Sequence, residues 1–266
     1  IYDKASLIEA RKKKLHLKQK LTPSEEEEEL RPRGCNLVEL NLSHNHMTIE
    51  TPDQDEALTR LISLSNTLIT LKLDKCDLGI GGGKPIGQAL KGNKSLRVLD
   101  LARNSLGEHG VRKIAAGLED NSVLEFLDLS RNAIGGRGLK YVEAFLSSPN
   151  TGLHDLSLFG NMMGIEGARA IANALVKNKS LITLDMGLNR IRPKGAVAIA
   201  HALIARKESM TLRTLKLKLN FINDRSALEI ATALSSHPES EKQAAPAPAS
   251  TAAASATPST SAATVP

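Results

Sequence analysis

Seven histidines, two cysteines and one glycine-rich stretch are where this chain of 266 residues has material for chemistry. His44 and His46 stand closest together, yet neither has a cysteine or carboxylate companion at a usual zinc-ligand interval. Residues 79–87 invite a phosphate-loop reading. A Walker loop ending at Gly83-Lys84 needs glycine at position 78 and Ser or Thr at 85, where Leu78 and Pro85 stand. A dinucleotide fingerprint begun at Gly79 or Gly81 lacks its third glycine. The stretch is expected to be a flexible loop. No serine or cysteine sits in a recognisable nucleophile setting. The expectation is a non-enzyme with no catalytic residue, no metal site and no cofactor.

What the residues do specify is a repeat. Leu96 to Leu106 reads L-R-V-L-D-L-A-R-N-S-L, with a strand-like alternation at Leu99-Asp100-Leu101 and an asparagine, Asn104, where the strand must turn away. Copies begin at Leu37, Leu68, Leu96, Leu124, Leu153, Leu181 and Leu212. Their corner residues are Asn45, Cys76, Asn104, Asn132, Asn161, Asn189 and Asn220, spaced by 31, 28, 28, 29, 28 and 31. A near-constant period of this size signals a solenoid. A corner asparagine amide bonds backbone groups that have lost their ladder partners.

The second half of each unit has helical spacing. Val111, Ile114, Ala115 and Leu118 follow Asn104 in the i, i+3, i+4, i+7 pattern of one helix face. The same offsets recur at Ala168, Ile171, Ala172 and Leu175, at Ala196, Ile199, Ala200 and Leu203, and at Ala227, Ile230, Ala231 and Leu234. Gly82, Gly110, Gly138, Gly167 and Gly195 lie six residues past their corners and are expected to permit a backbone turn. Each unit is thus a strand, a turn and a helix that buries its apolar stripe only against neighbours. Over Leu37 to about His237 the chain resembles the ribonuclease-inhibitor-like leucine-rich repeat proteins. That resemblance implies a curved α/β solenoid, a horseshoe arc with a parallel sheet on its concave face and helices on its convex face. The same repeat class includes the GTPase-activating protein for Ran, whose working arginine lies in an early repeat loop. The corresponding loop here, Met47 to Glu56, has no arginine, so that activity is not expected.

In such an array the outward strand positions line the concave face. The residue between the paired leucines reads Asn41, Lys72, Asp100, Asp128, Ser157, Asp185 and Lys216; the one before the corner reads His44, Lys75, Arg103, Arg131, Gly160, Leu188 and Leu219. With strands ~4.8 Å apart, Asp100 and Asp128 stand side by side, with Arg103 and Arg131 a few residues on. They form either a partner site or a self-compensating surface ladder, worth only ~0–1 kcal/mol per exposed pair. Further along, Phe159, Leu188 and Leu219 fall near one another where solvent is expected, with Phe221 close by. Such a run marks a partner site or caps the open edge of the last repeat. The candidate contact set is Asp100, Arg103, Asp128, Arg131, Phe159, Asp185, Leu188, Lys216, Lys218 and Leu219.

Three segments follow: a charged arm at 1–36, the seven-repeat array at 37–238, and an Ala/Pro/Ser/Thr tail at 239–266 expected to be disordered. The net charge of +6 splits into +2, +5 and −1 over these segments. Charge this diffuse argues against nucleic acid, which usually meets a concentrated face. The arm's basic run, Arg11 to Lys14, either solvates a lead-in that shields the first repeat or docks an acidic partner. Two isolated cysteines, with no cysteine-rich end cap, fit reduced thiols in a cytoplasmic compartment. No run of 18 apolar residues predicts a membrane span, and no signal peptide is visible. The sequons at Asn41, Asn93 and Asn178 read as repeat grammar. The function this supports is a protein–protein interaction scaffold, cytoplasmic or cytoskeletal, expected as a structural subunit of a large assembly. Two further readings stay open: a component of a ciliary or flagellar axonemal complex, by analogy, and an accessory protein attached to ribosomal RNA.

Overall fold

A computed structural model describes residues 36–149, 151–205 and 211–235. The arm before Asn36, most of the loop from Arg206 to Thr211 and the 239–266 tail lie outside them. Strand and helix alternate seven times: β1 (Glu39–Asn41), α1 (Pro52–Ser63), β2 (Thr70–Lys72), α2 (Gly83–Gly92), β3 (Val98–Asp100), α3 (Gly107–Leu118), β4 (Phe126–Asp128), α4 (Gly135–Leu146), β5 (Asp155–Ser157), α5 (Gly164–Lys177), β6 (Thr183–Asp185), α6 (Arg192–Ala205), β7 (Thr214–Lys216) and α7 (Asp224–Ser235). All strands are parallel and ordered β1 to β7 in one open sheet. The result is the curved solenoid with its sheet on the concave face and its helices outside. Among the described residues no helix is long and apolar enough to cross a membrane.

One leucine per strand sets the register: Leu40, Leu71, Leu99, Leu127, Leu156, Leu184 and Leu215 are paired across the whole sheet. From Leu71 to Leu184 they are buried, while their flanking residues face outward half-exposed. The helices pack their alanine and isoleucine stripe onto this row. Each fully buried leucine contributes about 2 kcal/mol relative to exposure. The last copy departs from the expected stripe. In α7 only Ser226 and Ala233 are buried; Leu234 is half-exposed and Ile230 half-buried. No eighth repeat covers that side among the described residues.

The corner asparagines form a continuous ladder between repeats. Each Nδ2 donates to a carbonyl of the preceding repeat: Asn104 to Leu73, Asn132 to Leu101, Asn161 to Leu129, Asn189 to Leu158 and Asn220 to Met186, at 2.7–2.8 Å. Each Oδ1 accepts from the backbone N–H of the preceding corner, as Asn104 N–H donates to Asn132 at 3.1 Å. Cys76 substitutes in part, its thiol donating to the Leu42 carbonyl at 3.1 Å. A second set, Asn93, Asn121 and Asn178, ties each helix end to the next strand. Asn93 and Asn178 are buried with their amides so engaged, in keeping with their reading as repeat grammar.

The glycines work differently from the expectation. Of those lying six residues past the corner, Gly82 stands just before α2 and the others sit in first helical turns, all with ordinary φ. A Cβ at Gly138 would lie 2.5 Å from Ile134 Cγ2, and at Gly167 2.5 Å from Met163 Cγ, so space rather than turning excludes it. The turn glycines come three residues earlier in the second to fifth units, Gly107 at φ +60 and Gly135 at φ +68 among them, and Arg192 takes the same left-handed backbone in the sixth. Residues 83–87 are not a flexible loop but the start of α2. There Gly87 and Gly117 let α2 and α3 approach backbone to backbone: a Cβ at Gly117 would meet the Gly87 carbonyl oxygen at 2.1 Å. Thr51 caps α1 reciprocally with Gln54, and Pro52 opens the helix.

Candidate functional site

The sheet presents its outward residues in columns, because every repeat repeats the same geometry in register. In the central column, Asp100 and Asp128 are direct neighbours. Each first serves the end of its own strand. Asp100 Oδ1 accepts from Ala102 N–H at 3.0 Å and Asp128 Oδ1 from Ser130 N–H at 2.7 Å, and Asp185 does the same for Gly187 at 2.9 Å. Burial pushes the Asp100 carboxyl above the usual carboxylate range, and the Asp128 and Asp74 charges add to that. Asp185 has Lys216 Nζ at 3.8 Å.

Of the two readings of this ladder, self-compensation is only partial: neither Arg103 nor Arg131 forms an ion pair with Asp100 or Asp128, although the Arg103 charge still acts to lower the Asp100 carboxyl. Arg103 reaches back to Asp74, with Nε donating to Oδ1 at 2.8 Å and a second contact from its other nitrogen to Oδ2. The pair is bidentate, the strong geometry for guanidinium and carboxylate. It holds the Asp74 carboxyl below its usual range and raises Arg103. Arg131 has no such neighbour. The residue equivalent to Asp74 one repeat on is Ala102, so the guanidinium turns forward and lies over the Phe159 ring, Cζ 5.6 Å from the centroid. Lys218 approaches the same ring, Nζ at 5.1 Å. Among the described residues Asp100 and Asp128 enter no ion pair.

Phe159 lies one column inside Leu188 and Leu219 rather than in line with them. Its ring covers Gly187, where a Cβ would meet Phe159 Cδ2 at 2.7 Å. Leu188, Leu219 and Phe221 are 42%, 65% and 72% exposed. All three hold left-handed backbone, φ 54, 59 and 56, as do Arg103 and Arg131. A leucine in that region costs about 1–2 kcal/mol, met here by the asparagine ladder that pins the corner.

The spacing of the paired leucines does not single out the column at the start of the strands. That column places Val98 and Phe126 side by side, and they line an open groove together with Lys72, Asp100, Glu125, His154 and Asp155. A sequence signal for it exists: Phe126 is one of only four phenylalanines and stands at an outward position. Asp74 escapes a reading of the two traced columns for the same reason, since it stands two residues before its corner.

Four segments of the chain, residues 35–50, 92–115, 120–142 and 177–200, match the leucine-rich repeat family model. The sequence has no match among curated proteins. Among solved structures, Leiomodin-1 Actin-Binding Site 2 (ABS2) is similar at TM-score 0.49 and 18% identity, over 73% of this chain and 94% of that one. The matched segments fall on the strand and corner of the first unit and on the strands, corners and helix starts of the third, fourth and sixth, so these four units are similar to leucine-rich repeats.

Proposed function

We propose that this chain is a non-enzymatic scaffold that docks a protein partner on its concave face and strand-exit rim, as a structural subunit of a larger assembly. The observation that carries this is the exposure of Leu188, Leu219 and Phe221 at one end of the sheet. Nothing among the described residues covers them, although their backbone is pinned in place. A pre-ordered surface of this kind loses little conformational freedom on binding. The helices of 10 to 14 residues on the convex side support the ribonuclease-inhibitor-like class within the leucine-rich repeats. The test is cross-linking and mass spectrometry of the native complex. Links from Lys216 and Lys218 to another protein are expected; links confined to convex-side lysines such as Lys113 and Lys177 overturn the reading.

A further inference from the structure

We infer that the strand-exit rim of the last three repeats takes an acidic segment studded with apolar side chains. This rests on the scaffold reading and names the chemistry of the partner. The two halves of the rim dispose of their charges differently. In the early repeats carboxylates stand on the rim itself: Asp74 takes Arg103 in a bidentate pair and lies near Lys75, and Asp77 meets His46 at 2.6 Å. In the last three repeats the strand-exit stretches, residues 158–164, 186–194 and 217–223, contain no Asp or Glu at all. Arg190 and Lys218 stand there, and Arg131 reaches in from the repeat before. Among the described residues none of the three enters an ion pair. Two of them rest on one aromatic ring, which orients the charges but leaves them unneutralised.

Between these cations project the tips of Leu188, Leu219 and Phe221. Adjacent repeats space such side chains ~4.8 Å apart. Alternating uncompensated cations with exposed apolar tips is complementary to carboxylates alternating with leucine-like side chains. A nucleic-acid backbone is the poorer match, because phosphates gain nothing from aliphatic neighbours and lose water to them.

The test uses the full chain and two short fluorescent peptides of one pattern, leucine with glutamate and leucine with lysine, beside a fluorescent oligouridine. Anisotropy is expected to show binding of the Leu/Glu probe that weakens with added salt. Leu188→Gly with Leu219→Gly, and separately Arg131→Asn with Arg190→Asn, are expected to weaken it at least about tenfold without lowering the melting temperature. Glycine and asparagine both tolerate the left-handed backbone at these sites. Equal or tighter binding of the Leu/Lys probe overturns the inference. So does failure of the Leu/Glu probe to bind, or oligouridine binding that the same variants abolish. Native cross-links to this rim from a basic partner segment would sink the inference while leaving the scaffold reading standing.

Discussion

Asn132→Ala tests what holds the repeats in register. The Asn132 side chain is fully buried and makes four bonds. Its Nδ2 donates to Leu101 O at 2.8 Å and Ser130 O at 3.2 Å, and its Oδ1 accepts from Asn104 N–H at 3.1 Å and Leu106 N–H at 3.3 Å. Alanine removes all four, but the losses are unequal. The Leu101 carbonyl keeps the Asn104 amide, and the Ser130 carbonyl keeps the Arg103 N–H. What remain unserved are two buried backbone N–H groups, each costing about 1–2 kcal/mol when orphaned. The expected loss is therefore about 2–4 kcal/mol in urea unfolding. Circular dichroism and a local fluorescent probe should be followed together, because a repeat array loses cooperativity at a weakened interface. Asn45→Ala is the control. Asn45 is exposed and its amide makes one bond, to Leu42 O at 2.8 Å, so its loss should cost under about 1 kcal/mol. Equal costs for the two variants would refute the ladder as the source of register.

Gly117→Ala should destabilise by about 2 kcal/mol or more, because its Cβ would strike a backbone carbonyl that cannot give way, whereas Gly92→Ala, with open space around it, should stabilise by about 0.5 kcal/mol; paired urea titrations decide. Asp74, held below its ordinary value of 3.8 by Arg103, contributes stability that is full above that value and is lost as pH falls through its folded value. Asp74→Asn should therefore flatten the acid limb of stability against pH. Asp100 has the opposite sign: its raised folded value means stability is lost as pH rises through it, so Asp100→Asn should stabilise at neutral pH. Asn41 already fills the equivalent position in β1 with the same bond, from Ser43 N–H at 3.0 Å, and thermal melts at several pH values check both variants. Leu188→Gly should leave the melting temperature within a few degrees, since Gly160 holds the equivalent position at φ +71, while removing a contact tip that partner capture would register.

The fold was legible because its determinant is periodic. A leucine returning every 28 or so residues has one way to be buried, and the register Leu71, Leu99, Leu127 follows from the spacing alone. The corner asparagines were legible as turn residues, but the sequence does not say that each amide serves the neighbouring repeat. The glycines six past the corner stand out by their spacing yet suggest the wrong reason, because close packing against a side chain four residues back leaves no local sequence mark. The candidate site was legible only where a column could be traced. The central column and the one before the corner contain Asp100, Asp128, Leu188 and Leu219. Asp74 and Phe126 belong to other columns, which the leucine spacing does not mark.

The pairing of Arg103 shows why a column-by-column reading underdetermines a solenoid surface. Arg103 and Arg131 occupy the same position in consecutive repeats, with the same left-handed backbone. Their different fates are decided one strand earlier and one residue inward, by Asp74 in one case and Ala102 in the other. A side chain on such a sheet answers to the neighbours on either strand as much as to its own repeat. The sign of the concave face is consequently set by pairs of columns, not by net charge. That is how a chain whose +6 is spread along its length still places unneutralised cations at one end of its sheet and neighbouring carboxylates near the middle.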